Sequence, residues 1–428
     1  MWYTVGLDAQ RITYKHRVRK LISNDKLQFP LGDRSNQQLC CRQSCDQHMA
    51  HMDFLARLTL YRKREQSILG CQASQGYLST TKRPSTRHLN PATPYFTLNI
   101  AMTEAEEILD LYDIAVLLNY ERNTTEPNLR HTKLREVAFP GSKPKTVALP
   151  GDLTGHWNNN ARTWFVVEAQ PPSNPNARDL PLEFLHPDLR SGSNLSNEQL
   201  ETFFHQARNH DGSYQAIRLL QFLFDLFPEF TKLRVRHAPS GTQPGHTYVT
   251  NINRRVIIEE SFRNPKVSTA IYAFPAGKLH VNGHQNQLDH AVFGFSREDS
   301  ETVTTFFDLS SMQFGDLGRG PGPKGKQLFA LDTPEEFALR FSQLAKGTDP
   351  TKHKTTLDIN PTPVDDWLEE VAIRTKRRWD NRHKENWCGH CGAPGPDSRC
   401  AGCRQAYYCG KECQRKAWTF HKGYCSPP

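Results

Sequence analysis

Four pairs of metal-capable side chains crowd into residues 388–425: Cys388-x2-Cys391, Cys400-x2-Cys403, Cys409-x3-Cys413 and His421-x3-Cys425. They take seven of the chain's eleven cysteines. Thiolate and imidazole are zinc donors, and two donors spaced two or three residues apart can reach one ion. Four of them close a tetrahedral site, with Zn–S at about 2.3 Å. Eight donors therefore suffice for two ions. Spacing alone does not say which pairs share an ion. Sequential use gives Cys388, Cys391, Cys400, Cys403 and then Cys409, Cys413, His421, Cys425; interleaved use joins the first pair to the third and the second to the fourth. In both partitions protein donors fill every position, as in structural rather than catalytic zinc. So short a segment cannot bury a core that folds unaided, and metal binding must supply most of its folding free energy.

Behind the two CxxC pairs, Tyr408-Cys409-x3-Cys413-Gln414-x3-Trp418-x2-His421-Lys422-x2-Cys425 resembles the MYND-type zinc finger. The resemblance covers residues 388–425, about a tenth of the chain. RING and PHD fingers lack the Gln-x3-Trp-x2-His signature. Membership of the MYND type implies interleaved sites, Cys388, Cys391, Cys409, Cys413 for one Zn2+ and Cys400, Cys403, His421, Cys425 for the other. It also implies a protein partner with a Pro-rich motif. Some MYND proteins are lysine methyltransferases whose finger interrupts a SET domain. No Asn-His-Ser-Cys-like segment is found in this sequence and the finger is terminal, so that role is not expected.

The helix after Gly410 sorts its residues by spacing. Cys413, Ala417, Phe420 and His421 are expected to face the metals and the small core. Gln414 and Trp418, at i and i+4, share a different face. An outward indole beside an amide suits a peptide groove, the ring packing proline or leucine and the amide bonding the peptide backbone. The competing expectation is that Trp418 covers the N-terminal body or Trp387. One departure from the family is Ala401, where peptide-binding members can carry serine. The missing hydroxyl removes one hydrogen bond, about 1 kcal/mol.

A chain of 428 residues has room for two or three domains. No stretch approaches the ~18 consecutive apolar residues of a membrane span, and no apolar signal-peptide core opens the sequence. Reduced zinc thiolates then predict an intracellular protein, of the nucleus or cytoplasm. The net charge of +9 invites a nucleic-acid reading. Residues 388–428 hold six Lys/Arg against two Asp/Glu. Two Zn2+ with seven thiolates cancel three of those four surplus charges, leaving about +1. The positive charge concentrates just upstream, at Arg374, Lys376, Arg377, Arg378, Arg382 and Lys384, opposed up to that point by Asp380. Such a run reads as a solvated helix face. It has no recognition helix, so specific DNA binding is not expected.

Residues 1–77 read as a helical N-terminal region and 78–98, rich in Ser, Thr and Pro, as a linker or exposed loop. The body is expected at 99–350. A helix is predicted from Thr103, with Glu106 closing a capping box and Ile108, Leu111, Tyr112, Ala115 and Leu118 on one face. Capping boxes at Ser196/Gln199 and Thr333/Glu336 predict two more helices, and Tyr214–Phe227 another before Pro228. Trp164–Glu168 reads as a strand. So do Thr247–Thr250, Val256–Glu260, Val267–Phe274, Ala291–Phe295 and Thr302–Leu309, a meander-like sheet over 245–310 with a hairpin at Pro275-Ala276-Gly277. Residues 351–386 are expected to be a linker and the basic helix, and 387–428 the finger. The fold class is an α+β body of unassigned family with a small antiparallel sheet region, followed by a small C-terminal two-zinc cross-brace MYND finger.

Other chemistry-bearing patterns are weaker. Gly320-x4-Gly325-Lys326 lacks the Ser/Thr that would hold magnesium, and Pro321 and Pro323 remove amides that would wrap phosphates. Cys41, Cys45 and His48, with Cys40 and His51 nearby, could meet on one helix face, but nothing pairs them with a second cluster; His280, His284 and His290 could meet in the sheet, but no Glu or Asp stands at a familiar ligand offset. No catalytic residue is assigned. The reading is a non-enzymatic, regulatory zinc-binding adaptor. The alternative is an enzyme with its site in residues 100–350 and the finger as accessory.

Overall fold

The computed structural model describes residues 108–147, 161–172, 174–189, 194–239, 245–282, 286–320 and 325–427. The chain begins there with strand β1 (Ile108–Asp110) and helix α1 (Leu111–Asn123), followed by β2 (Thr132–Ala138) and β3 (Ala161–Ala169). Two consecutive helices follow, α2 (Asn197–Arg208) and α3 (Ser213–Asp225). Strands β4 (Lys232–Arg236), β5 (Thr247–Asn251), β6 (Arg255–Pro265), β7 (Val267–Phe274), β8 (Lys278–Val281), β9 (Gln287–Ser296), β10 (Val303–Asp308) and β11 (Ala330–Asp332) come next. Helix α4 (Pro334–Leu344), β12 (Ala345–Thr348), β13 (Lys354–Thr356) and α5 (Asp365–Asp380) lead to the tail, which holds β14 (Ser398–Arg399), β15 (Tyr407–Tyr408) and α6 (Lys411–His421).

The strands of residues 245–310 do not form one meander. They are divided among three sheets, β1-β4-β5, β2-β3-β7-β8 and β11-β10-β9-β6-β12, with β13 also on β6. The division happens at Lys266. Strand β6 stays antiparallel to β9 over nine register pairs, whereas β7 leaves to run parallel to β3. Gly277, at φ +65°, sits in the turn between β7 and β8. A left-handed backbone there is cheap only for glycine.

Among the described residues helix α1 is at the heart of the main hydrophobic cluster. It starts at Leu111, not Thr103, because Ile108–Asp110 is extended and pairs in parallel with Lys232–Arg234. Asp110 caps it, accepting from the amides of Tyr112 (3.1 Å) and Asp113 (3.3 Å). Thr103 and Glu106 lie outside the described residues, as do 1–77, 78–98 and the Cys40–His51 cluster. Helix α1 is buried on nearly every side, as a helix inside a core must be. Its Leu111, Ile114, Ala115 and Leu118 share one hydrophobic cluster with Leu219, Leu220 and Leu223 of α3, Phe293 and Phe295 of β9, and Phe307 of β10. A second cluster packs Leu200, Phe203 and Phe204 of α2 onto Leu134, Phe165 and Ile271 of its sheet. Of the three predicted capping boxes, those at Ser196/Gln199 and Thr333/Glu336 are formed.

Residues 351–386, read from sequence as linker and basic helix, are built into the body. Strand β13 pairs with β6, and α5 buries Leu368, Val371, Ala372 and Trp379 in the central cluster. Its basic residues turn inward as much as outward. The carboxylate of Glu121, itself buried, accepts from Arg178 (2.6 Å), Arg374 (3.1 Å) and Arg378 (3.0 Å). Burial alone would push the Glu121 carboxyl up, and these guanidiniums bring it below its ordinary value. Lys376 pairs with Asp380 at 2.8 Å, and Arg382 lies over the Trp379 ring. Glu121→Ala should therefore lower stability by about 3–5 kcal/mol, because it leaves the buried Arg378 and the part-buried Arg178 and Arg374 without their counter-charge. Urea denaturation reads this directly, and a loss under ~1 kcal/mol would put these pairs in the class of screened surface contacts.

Candidate functional site

The tail folds around its donors. The amide of Cys388 donates to Ala393 O and that of Gly392 to Cys388 O, both at 2.9 Å, closing the first zinc loop. Cys400 N to Ala406 O (2.9 Å) and Arg404 N to Cys400 O (3.0 Å) close the second. Strands β14 and β15 flank the second loop and pair with each other, and Cys388 bridges to Tyr407. Gly410 then caps α6, which carries Cys413 near its start and His421 at its end.

Two clusters of donors result, Cys388, Cys391, Cys409, Cys413 and Cys400, Cys403, His421, Cys425, with ligand atoms in each lying within 4.8 Å of one another. The sulfurs of Cys391 and Cys409 are 3.6 Å apart, and those of Cys400 and Cys425 3.7 Å. His421 Nε2 lies 3.5 Å from Cys403 Sγ and 3.3 Å from Cys400 Sγ. Around a tetrahedral zinc, with bonds of about 2.3 Å to sulfur and 2.0–2.1 Å to nitrogen, donors should stand roughly 3.8 Å apart for two sulfurs and 3.5 Å for sulfur and nitrogen. The separations fit, and they are far too long for disulfides. The pairing is interleaved. Each cluster is a closed site for one structural Zn2+, and the donor pairs of the two sites alternate along the chain, which makes a cross-brace.

Residues 388–425 match the family model described as the MYND finger. This segment is a MYND finger. Among similar proteins, N-lysine methyltransferase SMYD2 of Bos taurus is 49% identical over 43 residues, 10% of this chain and 10% of that protein. Tudor domain-containing protein 1 of Mus musculus is 45% identical over 152 residues, 31% of this chain and 11% of that protein. Dauer abnormal formation protein 25 of Caenorhabditis elegans is 48% identical over 40 residues, 9% of this chain and 10% of that protein. The chain thus spans about a tenth of the length of these curated relatives. No solved structure matches it. The finger is a zinc-binding protein-interaction module and is itself non-catalytic. Among the described residues no helix is long and apolar enough to cross a membrane.

One expected face of α6 is reassigned. Ala417 packs with Tyr408 among the zinc cysteines, but Phe420 leaves the MYND finger and joins the body's central cluster. Its ring stacks on Tyr112 of α1, centroids 3.5 Å apart and planes within 3°, and Arg236 lies over Phe420 and Tyr424. Tyr424 Oη donates to His237 O at 2.6 Å. The first zinc loop is held from two sides. Arg378 Nη2 donates to Gly392 O at 2.7 Å. Gly392 itself has φ +78°, and a Cβ there would stand 2.5 Å from Val116 O of α1. On the other side His390 reaches Glu201 of α2 at 3.0 Å.

Glu201 is the link that sequence reasoning missed. It sits on a capped helix with no motif around it, and its partners come from three distant segments. Oε1 faces His390, while Oε2 accepts from Arg319 (2.9 Å) and Lys416 (3.0 Å). Burial alone would raise its carboxyl. His390, Arg319 and Lys416 overcome this and hold it well below the usual carboxylate range.

The outer face is as expected in one respect: Trp418 is 46% exposed. It neighbours the His421 ring, whereas Trp387 pairs with Trp379. Gln414 is half-buried.

The remaining sequence candidates disperse. His290 is buried against Asp308 (2.8 Å) and Gln313, His280 lies near His210, and His284 is outside the described residues. Lys326 pairs with Glu198, and Gly320 bridges to Gln327, which closes that loop on itself. A body cleft of about 370 Å3 is lined by Glu126, His210, Asp211 and His280 among others, and among the described residues by no Ser, Thr or Cys. Burial, with His280 nearby, pushes the His210 imidazole down to about 4. The Glu126 oxygens are bound to the amides of Asn128 and Leu129.

Two measurements check the site. Metal analysis should return two zinc ions per chain, and replacing any one of the eight ligands should unfold the MYND finger, since about 10 kcal/mol or more of folding free energy rests on each ion. A single zinc per chain would refute the two-site arrangement. Glu201→Gln should free the finger from the body, with a loss of about 3–5 kcal/mol and new protease cleavage near residues 381–387. The Glu201 contribution is complete above its ordinary pKa of 4.5 and is lost as pH falls toward its depressed folded value. The wild type should therefore approach the variant only in acid.

Proposed function

We propose that this protein is a non-enzymatic, regulatory adaptor that docks a Pro-rich partner peptide through Gln414 and Trp418. The exposed indole carries the reading. Ala417 and Phe420, its neighbours on α6, are buried, whereas Trp418 is left in water beside an amide. An apolar ring with a polar neighbour is how interaction sites hold an extended peptide, the ring supplying buried area and the amide fixing direction. The relatives are named for different things, a methyltransferase and a Tudor domain-containing protein. That fits a finger whose task is separable from its surroundings. We assign the body to residues 99–350, with 351–386 packed against it, and the finger to 387–428. The eight Cys and His ligands serve folding, and the site of function is the face they leave outside. Zinc thiolates suit the reducing interior of the cell.

Trp418→Ala should keep both zinc ions, because the indole is not a ligand, and should weaken binding of a labelled Pro-rich peptide roughly thirtyfold or more. A hot-spot aromatic contributes ~2 kcal/mol or more. Gln414→Ala should cost about one amide hydrogen bond, ~1 kcal/mol. Anisotropy titrations with metal analysis of each variant distinguish a lost groove from a lost fold, and unchanged affinity in Trp418→Ala would defeat the reading.

A further inference from the structure

Helix α6 sorts its cations. Lys416 is buried and bound to Glu201. Lys411, Arg415 and Lys422 are exposed, and among the described residues no carboxylate pairs with them. Their spacing matters. Lys411, Arg415, Trp418 and Lys422 are separated by four, three and four residues, so at 3.6 residues per turn they form one stripe along the outer face. The exposed indole stands within the stripe, with two cations before it and one after it. From Lys411 to Lys422 the stripe runs roughly 16 Å, which five or six residues of extended peptide would span.

From this juxtaposition we infer that the partner peptide is acidic as well as Pro-rich, with Asp or Glu side chains on both sides of the residue seated on Trp418. The inference rests on the docking face proposed above and names the chemistry of its occupant. Unpaired cations on both sides of an apolar contact favour a ligand whose carboxylates bracket an apolar residue. Such charges raise the encounter rate and fix the register of the bound peptide. A nucleic acid is the less suitable occupant. Its affinity grows with the number of phosphates neutralised, and this face offers three cations on a finger of about +1 overall.

The test uses the full zinc-loaded chain and three labelled probes: a neutral Pro-rich peptide, the same peptide flanked by aspartates, and a single-stranded oligonucleotide. Near 50 mM salt the acidic peptide should bind about tenfold more tightly than the neutral one, as three exposed ion pairs allow. That advantage should vanish in Lys411→Gln/Arg415→Gln/Lys422→Gln, which leaves the neutral peptide's affinity unchanged, and should shrink as salt rises. Equal binding of the two peptides, or an advantage that survives the triple substitution, overturns the acidic preference while the groove stands. Acidic-peptide binding that needs the three cations but survives Trp418→Ala overturns the groove instead. An oligonucleotide that outcompetes both peptides through the same cations overturns the peptide assignment.

Discussion

Helix α6 must deliver Cys413 to one zinc and His421 to the other, and that requirement fixes its rotation and its tilt. Eight residues, a little over two turns, separate the two donors, so the helix spans the cross-brace and has little freedom within it. Every other position on it is then committed. Ala417 falls on the finger's interior, Lys416 and Phe420 on the body, and Trp418 is left outside. Which side chains the finger leaves outside is therefore decided by metal coordination.

The finger and the body meet across charge as well as across apolar surface. Glu121 and Glu201 are buried carboxylates; Glu121 is faced by Arg178 and by Arg374 and Arg378 of α5, and Glu201 by Arg319, Lys416 and His390. Removing such groups from water is costly, and the pairs restore it only when their geometry is kept. Their main effect is on specificity. A hydrophobic contact such as Phe420 on Tyr112 tolerates sliding, whereas Glu201 accepts from His390 and Lys416 in one position only. The two kinds of contact together hold the finger in one pose on α1 and α2.

How much of this was legible in the sequence follows from how local each cause is. The zinc donors could be read because the metal demands particular residue types at short spacings, and the capping boxes because their hydrogen bonds span three residues. The interleaved pairing came from resemblance to a family, since spacing alone allows two partitions. Strand β1 was missed because its partner, β4, lies more than a hundred residues away, and an isolated Ile-Leu-Asp before an apolar run looks like the start of a helix. The departure of β7 to β3 was hidden for the same reason, both strands carrying the alternation that a meander also shows. Phe420 fits the finger's interior by helical period, and only the presence of Tyr112 opposite draws it elsewhere.

Gly392 bears on whether this finger is interchangeable. A Cβ on it would meet α1 at Val116 O and at the Cβ of Tyr120, at 2.5 and 2.7 Å. In most module junctions a bulkier residue could be absorbed by a neighbouring rotamer; here the obstacle is a carbonyl oxygen within a packed helix, which cannot turn aside. A finger grafted from another protein would carry its zinc sites intact and still seat wrongly unless glycine stood at this point. The graft would ride away from α1, pulling His390 from Glu201 and turning the outer face of α6 to a new angle. Compatibility between this body and a foreign finger is thus limited by a position that binds no metal, besides the side chains that contact the body.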